Sequence, residues 1–321
     1  MRVMSAEPVQ ANVENFVRAE TDRMFGDLAA ASGGSNRWRH VREPAPLDQQ
    51  TVIRTNRDTL YSAAVVDISQ GATVTIPDAG DRYLSLMVVN QDHYINAVLH
   101  EPGVHELTTA QFDTPWVLLA ARILVDPNDP ADVAVVTAIQ DELGLSVVSD
   151  ASFTCPQYDT ASLDATRRSL LELGRGLPSF AGAFGRKDEV DAVKHLIGTA
   201  GGWGGLPASE AFYINVDPGL PVADFSLTAR DVPVDAFWSV TVYSADGYLV
   251  PNDKGVNSLN SLTAAKNPDG SVTIRFGSGD APNTIPIVEG WNYTVRLYRP
   301  RPEILEGRWT FPPATPAGDV D

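Results

Sequence analysis

Cysteine is almost absent, since Cys155 is the single cysteine among 321 residues. An intramolecular disulfide is therefore excluded, and so is a zinc site built mainly from cysteines. The position of Cys155 directly before Pro156, in a loop-like stretch, is not typical of an activated nucleophile. A buried thiol with a packing role stays open, so this residue does not indicate a cellular compartment.

Basic charge is also scarce: 24 lysines and arginines stand against 41 aspartates and glutamates, for a net charge of −17 and a pI near 4.6. Nucleic acids and anionic membranes attract proteins through a basic surface, so neither is expected as a partner. The acidity favours solubility but identifies no substrate. We expect the partner to be a small-molecule ligand or substrate.

A long apolar run is missing. No segment reaches the roughly 18 apolar residues of a membrane span, so none is predicted. Glu7, Pro8 and Glu14 interrupt the stretch in which a secretory signal would need its apolar core. As written, the sequence predicts a cytoplasmic protein; periplasmic or secreted location is the alternative if the sequence is a trimmed mature form.

Familiar cofactor and nucleophile motifs are lacking as well. The sequence contains no GK[ST] phosphate loop, no GxGxxG pattern, no HExxH pattern and no GxSxG elbow, so no cofactor is expected. The glycine-rich run GTAGGWGG, residues 198–205, leaves phosphate binding open, because backbone nests occur without a motif. The glycines around Trp203 favour instead a tight bend anchored by that ring.

Three histidines, His93, His100 and His105, lie close together in sequence and suggest a metal site. Their spacing argues against one. His93 and His100 have opposite parity on a continuous strand, and residues 101–103 break the chain before His105. We therefore predict no metal site, and we interpret residues 100–105 as an exposed turn.

Length and composition predict a folded protein with more than one domain. Hydrophobic residues make up 43% of the chain and charged residues 20%, as in globular proteins. A chain of 321 residues exceeds one ordinary domain of roughly 100–150 residues. We predict a mainly β fold of two jelly-roll or β-sandwich-like domains joined by helices. The predicted parts are a β domain with an N-terminal helix at 1–155, a helical and glycine-rich connector at 156–204, and a β-sandwich domain at 205–321.

Short apolar segments between turn residues predict strands, and helical periodicity predicts helices. The predicted strands are 60–66, 72–76, 83–90, 116–125, 212–216, 224–229, 236–243, 271–276 and 293–298, and the predicted helices are 11–31, 129–143, 159–173 and 187–197. Strand 236–243 alternates: Phe237, Ser239, Thr241 and Tyr243 share one face, whereas Trp238, Val240 and Val242 share the other. One face of this strand is therefore partly polar and aromatic.

The stretch RTNRDTLYSAAVVD, which begins at Arg54, places a polar cluster at the mouth of an apolar strand, where side chains can converge on a cleft. One interpretation is structural, with Asp58 paired to Arg54 or Arg57. The other is an anion or carbonyl pocket that includes Asn56. In that pocket Arg57 would offer its planar guanidinium, Asp58 would orient it and Tyr61 would add a hydroxyl.

Two further polar residues lie in or beside predicted strands. If strand 83–90 runs on, His93 lies beneath an apolar face, either as a core histidine or as a pocket histidine. Arg296 lies inside the strand YTVRLY, where a charge needs a partner or a ligand.

Long motifs resemble two known families. TNRDTLYSAAVVDIS and DRYLSLMVVNQDHY resemble domain-of-unknown-function family 1254, and DAFWSVTVYSADGYLVPND, DGSVTIRFG and NTIPIVEGWNYTVRLYRPRPEILEGRWTFP resemble family 1214. The resemblance covers most of the chain in the usual order. It implies two mostly β, jelly-roll-like domains joined by helices in a bacterial, often exported protein, without an agreed reaction. The missing export signal departs from that pattern.

The first functional hypothesis is an enzyme that acts on a small or medium polar organic substrate by hydrolysis or lyase-type proton transfer. Arg57 would bind a carboxylate or stabilise an oxyanion, with Tyr61 nearby. Asp58 or His93 would exchange a proton, since an unperturbed histidine titrates near neutral pH.

The second hypothesis is a non-catalytic protein that binds carbohydrate or lipid through aromatic rings and polar groups. The candidate binding residues are Asn56, Trp203, Trp238, Tyr243 and Arg296. The alternative for each aromatic residue is that it fills a β core. A third hypothesis is a scaffold that assembles a homo-oligomer.

Overall fold

The protein is mainly β. The computed structural model describes residues 7–50, 53–177 and 179–317, which form 16 strands and six helices. The strands are β1 (Arg39–His40), β2 (Thr59–Asp67), β3 (Ala72–Ile76), β4 (Leu84–Asn90), β5 (Ile95–Leu99), β6 (Gly103–Leu107), β7 (Trp116–Leu124), β8 (Gly144–Val147), β9 (Ala211–Val216), β10 (Phe225–Ala229), β11 (Trp238–Tyr243), β12 (Ser258–Asn260), β13 (Val272–Phe276), β14 (Thr284–Ile285), β15 (Asn292–Tyr298) and β16 (Thr315–Pro316). The helices are α1 (Phe16–Ala31), α2 (Thr109–Phe112), α3 (Pro130–Asp141), α4 (Thr160–Leu173), α5 (Ala192–Gly202) and α6 (Pro302–Leu305).

The mainly β prediction is confirmed, and each predicted strand overlaps a strand of the structure. Within the described ranges, every helix is too short or too polar to cross a membrane.

The chain separates into two compact units, each assembled from three non-consecutive segments. As far as they are described, the first unit contains residues 1–41, 61–122 and 138–207, and the second contains residues 42–60, 123–137 and 208–321. Three of the five changes between units fall within β2, β7 and α3, and the other two, after residues 41 and 207, fall outside the helices and strands. The polar residues 54–58 therefore belong to the second unit.

Two sheets and three longer helices form the first unit. One sheet has the strand order β1-β2-β7-β4-β5 and the other has the order β6-β3-β8. All seven residues of β4 are buried, because this strand lies inside its sheet between β7 and β5. The predicted strand ends at Asn90 and does not run on to His93.

Helices α1, α4 and α5 share a small apolar core that includes Phe16, Leu163 and Ile197. The Asp159 side chain begins α4 by accepting a hydrogen bond from a backbone N–H, at 2.8 Å. Such a cap satisfies one of the free donors at a helix start.

Cys155, just before α4, is exposed, so the buried-thiol alternative does not hold.

The bend predicted around Trp203 is present, but the helix before it ends later than the predicted Ile197. Helix α5 continues through Gly198 to Gly202, and the backbone leaves the helical conformation at Trp203. A Cβ atom at Gly198 would lie 2.8 Å from the Cβ of Ala183, closer than two such atoms can approach. Glycine is therefore required here by close packing, although it costs about 1 kcal/mol of helix propensity relative to alanine.

The second unit is a β-sandwich. Its two sheets have the strand orders β14-β13-β10-β16 and β12-β11-β15-β9. The neighbouring strands are antiparallel, except that β13 and β14 are parallel. Leu227 and Ile274 from the first sheet share one buried core with Val240 and Val295 from the second. Burying each such side chain contributes about 1.5–3 kcal/mol, so this core accounts for the sandwich.

The predicted alternation of β11 is confirmed. Trp238, Val240 and Val242 belong to the sandwich core, so Ser239 and Thr241 lie on the opposite face of the sheet. Both of these polar residues are nevertheless fully buried. Their hydrogen-bonding groups therefore need partners inside the protein.

Candidate functional site

The Asp58 carboxylate is buried against the polar face of β11. Its Oδ2 accepts hydrogen bonds from the hydroxyl of Ser239 at 2.5 Å and from the hydroxyl of Tyr298 at 3.3 Å. Its Oδ1 accepts a hydrogen bond from the hydroxyl of Ser258 at 3.1 Å. A buried carboxylate persists when such donors satisfy it. In the described part of the chain, neither arginine of the stretch 54–58 forms an ion pair with Asp58.

Arg296, paired in register with Ser239 on the neighbouring strand, is the second buried charge on this face. Its guanidinium donates to the hydroxyls of Thr241 at 2.8 Å and Tyr243 at 2.7 Å, and to the Arg54 carbonyl at 2.9 Å. Burial lowers the pKa of Arg296, but Tyr243 and Asp58 more than offset this effect and raise that pKa above its usual value. Arg296 is therefore a charged structural residue.

Burial also raises the pKa of the Tyr243 phenol. This residue is accordingly neutral at physiological pH, and its hydroxyl donates to the carbonyl of Thr55 at 2.9 Å. The backbone N–H of Arg54 donates to the carbonyl of Gly247 at 2.8 Å. Residues 54–58 are thus fixed to the sandwich through their backbone as well as through Asp58.

Asn56 shapes the same segment. Its Oδ1 accepts a hydrogen bond from the backbone N–H of Asp58 at 2.8 Å, and its Nδ2 donates to the Tyr298 hydroxyl at 3.0 Å. An asparagine that bonds to the backbone two residues further on stabilises a local turn. This arrangement gives Asn56 an internal structural role.

Arg57 differs from its neighbours, because its guanidinium has no partner among the residues that the structure describes. Its Nε atom is buried without a hydrogen bond, and no acceptor or carboxylate pairs with Arg57 among the described residues. Burial lowers the pKa of Arg57 from its usual value. A buried donor without an acceptor costs about 1–3 kcal/mol, so this site is poorly satisfied in the free protein.

A cavity of about 330 Å³ lies beside Arg57, entirely within the second unit. Its lining consists of Arg57, residues 43–47 (EPAPL), Pro127, Asn128, Pro130 and Val133. The backbone N–H of Val125 donates to the Asp58 carbonyl at 2.9 Å and connects the segment after β7 to the segment that carries Arg57. The cavity thus combines one unpaired cation with mainly apolar walls.

Three other candidate residues lie in the first unit. The Tyr61 ring lies beneath the guanidinium of Arg122, 5.5 Å from the ring centroid. Trp203 donates from Nε1 to the Thr21 hydroxyl at 3.1 Å and stacks on His93, with 5.2 Å between ring centroids.

Both ring nitrogens of His93 are occupied. Nε2 accepts the backbone N–H of Gly204 at 2.9 Å, so Nδ1 carries the proton and donates to the Thr199 hydroxyl at 2.8 Å. Burial, assisted by the charge of His195, lowers the pKa of His93 to about 3. His93 is therefore a neutral residue of a closed core, and its geometry favours the core alternative over the pocket alternative.

Trp238 lies inside the sandwich core, where its ring packs edge-on against Phe311 with 5.5 Å between centroids. The structure thus brings Asn56, Asp58, Tyr243 and Arg296 together on one face of a sheet, and places Arg57 in the neighbouring cavity.

No group of three or more histidine, cysteine, aspartate or glutamate side chains is arranged to hold a metal within the described ranges.

Sequence reasoning missed the hydroxyl partners of Asp58 and the proline-rich wall around Arg57. The alternation of Ser239 and Thr241 along β11 indicated a polar face, but it did not indicate which residue that face holds. Residues 43–47 and 127–130 contain all four prolines that line the cavity, and this shared composition was the one sequence signal that the two segments could meet.

Two family models match the chain. The model described as "Protein of unknown function (DUF1254)" matches residues 35–103, and the model described as "Protein of unknown function (DUF1214)" matches residues 222–302. The resemblance seen in the sequence motifs is therefore confirmed, with the two families in the expected order.

Solved structures share the fold. The crystal structure of the VPA0106 protein from Vibrio parahaemolyticus matches with a TM-score of 0.75 at 19% identity, covering 95% of this chain and 97% of that one. An uncharacterised protein from Burkholderia cenocepacia matches with a TM-score of 0.52 at 14% identity, covering 94% of this chain and 88% of that one. No functionally curated protein matches the chain. At these identities the similarity concerns the fold alone.

Proposed function

We propose that the protein binds a small organic acid, whose carboxylate is held by Arg57 in the cavity of the second unit. One observation carries this proposal: Arg57 lines a cavity of about 330 Å³, and no acceptor or carboxylate among the described residues pairs with its guanidinium. A ligand carboxylate in the cavity would supply an acceptor to the accessible nitrogens of this guanidinium.

The chemistry of arginine favours a carboxylate. The guanidinium is planar and presents donors in a fixed fork that matches the two oxygens of a carboxylate. The cavity volume of about 330 Å³ is at the lower end of the range for small-molecule sites. A metabolite-sized acid fits this description better than a carbohydrate chain or a lipid.

Binding without turnover is better supported than catalysis. The Asp58 carboxylate already accepts three hydroxyl hydrogen bonds, and both nitrogens of His93 are engaged. Neither group is free to exchange a proton with a ligand in the present arrangement. Among the functions considered from the sequence, these contacts favour the ligand-binding hypothesis, with an organic acid in place of carbohydrate or lipid.

Calorimetric titration with acetate, propanoate, benzoate, lactate and 3-phenylpropanoate tests the proposal. We expect at least one acid to bind, and Arg57→Gln to weaken that binding about 10- to 100-fold, the range of a lost hydrogen bond to a charged group. Because the guanidinium of Arg57 bonds to none of the described side chains or carbonyls, the substitution should not lower the free energy of unfolding.

Arg230→Gln is the matched control, since Arg230 is an exposed arginine of the same unit and pairs with Asp269 away from the cavity. This variant should bind like the wild type. The proposal fails if none of the acids binds, or if Arg57→Gln binds them as tightly as the wild type does.

A further inference from the structure

The cavity that contains Arg57 also contains a second unpaired charge. Glu43 lines it, is exposed, and forms no hydrogen bond or ion pair with any described residue. Arg57 and Glu43 do not pair with each other, since no nitrogen–oxygen distance between them falls within 4.0 Å. Two opposite charges therefore border one space and leave a gap between them.

The rest of the cavity lining is mainly apolar, and its prolines make it rigid. Pro44, Pro46, Pro127 and Pro130 all line the cavity, together with Leu47. Proline has no backbone N–H, and its ring fixes the backbone angle φ. Such walls offer few donors to a ligand rich in hydroxyls, whereas they suit a hydrocarbon group. Asn128 adds one amide to this lining.

The position of Glu43 also limits the charge of the ligand. A dianion such as a phosphate ester would bring a second negative charge towards the Glu43 carboxylate, and like charges at short range repel. A ligand with one carboxylate and one ammonium group would complement both Arg57 and Glu43. The net charge of such a ligand is zero, as is the sum of the charges of Arg57 and Glu43.

Resting on the proposed function, we infer that the ligand is a zwitterion: an amino acid or related ammonium carboxylate with an apolar side chain. The carboxylate contacts Arg57, the ammonium group faces Glu43, and the side chain packs on the proline-rich wall. This assignment names the substrate class of the same cavity and adds Glu43 as a specificity-determining residue.

Calorimetry with three matched probes tests this inference. L-Phenylalanine carries both charges, 3-phenylpropanoate lacks the ammonium group and 2-phenylethylamine lacks the carboxylate. We expect the wild type to bind L-phenylalanine about three- to fivefold more tightly than 3-phenylpropanoate, the range of an exposed ion pair. The amine should bind more weakly than either acid.

Glu43→Gln should abolish the preference for L-phenylalanine and leave the affinity for 3-phenylpropanoate equal or higher. Glu289→Gln, a change at an exposed glutamate of the same unit outside the cavity, should keep the preference. A wild type that prefers 3-phenylpropanoate, or a preference that survives in Glu43→Gln, overturns the zwitterion inference. If that happens while Arg57→Gln still weakens the binding of 3-phenylpropanoate, the organic-acid proposal stands. If neither L-phenylalanine nor any acid of the panel above binds the wild type, both proposals fail.

Discussion

The hydroxyl of Ser239 donates a 2.5 Å hydrogen bond to the carboxylate of Asp58, across 181 positions of sequence. The residue before Asp58 behaves differently, because Arg57 lines a cavity and has no partner in the described ranges of the chain. Adjacent charges in the sequence thus have separate roles. Asp58 holds the segment on the sandwich, and this attachment sets the position from which Arg57 enters the cavity.

Asp58→Asn should lower the free energy of unfolding by about 2–3 kcal/mol, because hydrogen bonds to a buried charged group are replaced by weaker ones. An asparagine NH2 would also meet hydroxyl donors, and Arg296 would lose a nearby opposite charge. Urea denaturation at pH 7 measures the change.

Asp280→Asn is the control for this experiment, because the Asp280 side chain is fully exposed and pairs only with Lys254 at 3.2 Å. It should change the free energy of unfolding by less than about 0.5 kcal/mol. Equal stability of Asp58→Asn and the wild type would contradict the anchoring role of Asp58.

The buried His93 should make stability depend on pH. Its pKa is about 3 in the folded protein, whereas an unfolded histidine has a pKa near 6.5. Between these two values the unfolded state binds the extra proton, so the contribution is complete above about pH 6.5 and is lost as the pH falls towards 3. The slope from this residue reaches about 1.4 kcal/mol per pH unit.

Denaturation curves of the wild type and of His93→Asn between pH 5 and 6.5 measure this slope. The substitution removes the titrating ring, and asparagine is tolerated at this position, where φ is 60°. The variant should be less stable at pH 6.5 and should show a shallower pH dependence. His105→Asn serves as the control, because His105 lies outside the core and its Nε2–H donates to the Glu101 carbonyl. A slope unchanged in His93→Asn would show that another group causes the pH dependence.

Two helical glycines should respond oppositely to alanine. In α1, a Cβ at Gly26 meets nothing within 4 Å, so Gly26→Ala should stabilise the protein by about 0.5–1 kcal/mol through helix propensity. In α5, a Cβ at Gly198 would meet Ala183 at 2.8 Å and Phe184 at 3.2 Å. Gly198→Ala should therefore destabilise the protein by about 1–3 kcal/mol through overpacking.

Thermal and urea unfolding of both variants measure this contrast. Because both glycines lie in helices without a positive φ, backbone propensity alone predicts the same sign for both substitutions. Stabilisation by Gly198→Ala would mean that Ala183 and Phe184 do not require close contact with α5.

Local sequence patterns predicted many of the strands and helices, because such patterns depend on residues that are close together in the sequence. The two-residue period of Trp238 and Ser239 gave the correct faces of β11, since alternation follows from strand geometry. The end of α5 was placed too early, at Ile197, because the contact of Gly198 with Ala183 is tertiary and no property of the glycine run itself indicates it.

The candidate site was less accessible to sequence reasoning. The stretch around Arg57 and Asp58 was recognisable as a polar cluster beside a strand, but the two charges could not be assigned different roles. Their roles depend on Ser239 and on the wall near Pro127, which come from distant segments of the chain. For His93, the decisive contacts come from Thr199 and Gly204, more than one hundred positions away.

The edge strands of the sandwich affect whether two copies of this chain can pair through their sheets. In the sheet β14-β13-β10-β16, both outermost strands are two residues long, and β16 ends in Pro316. Short edge strands, and a proline without a backbone N–H, leave few free backbone groups with which a strand of another chain could pair. This sheet is therefore protected against edge-to-edge aggregation, a useful property for a protein whose β content is high.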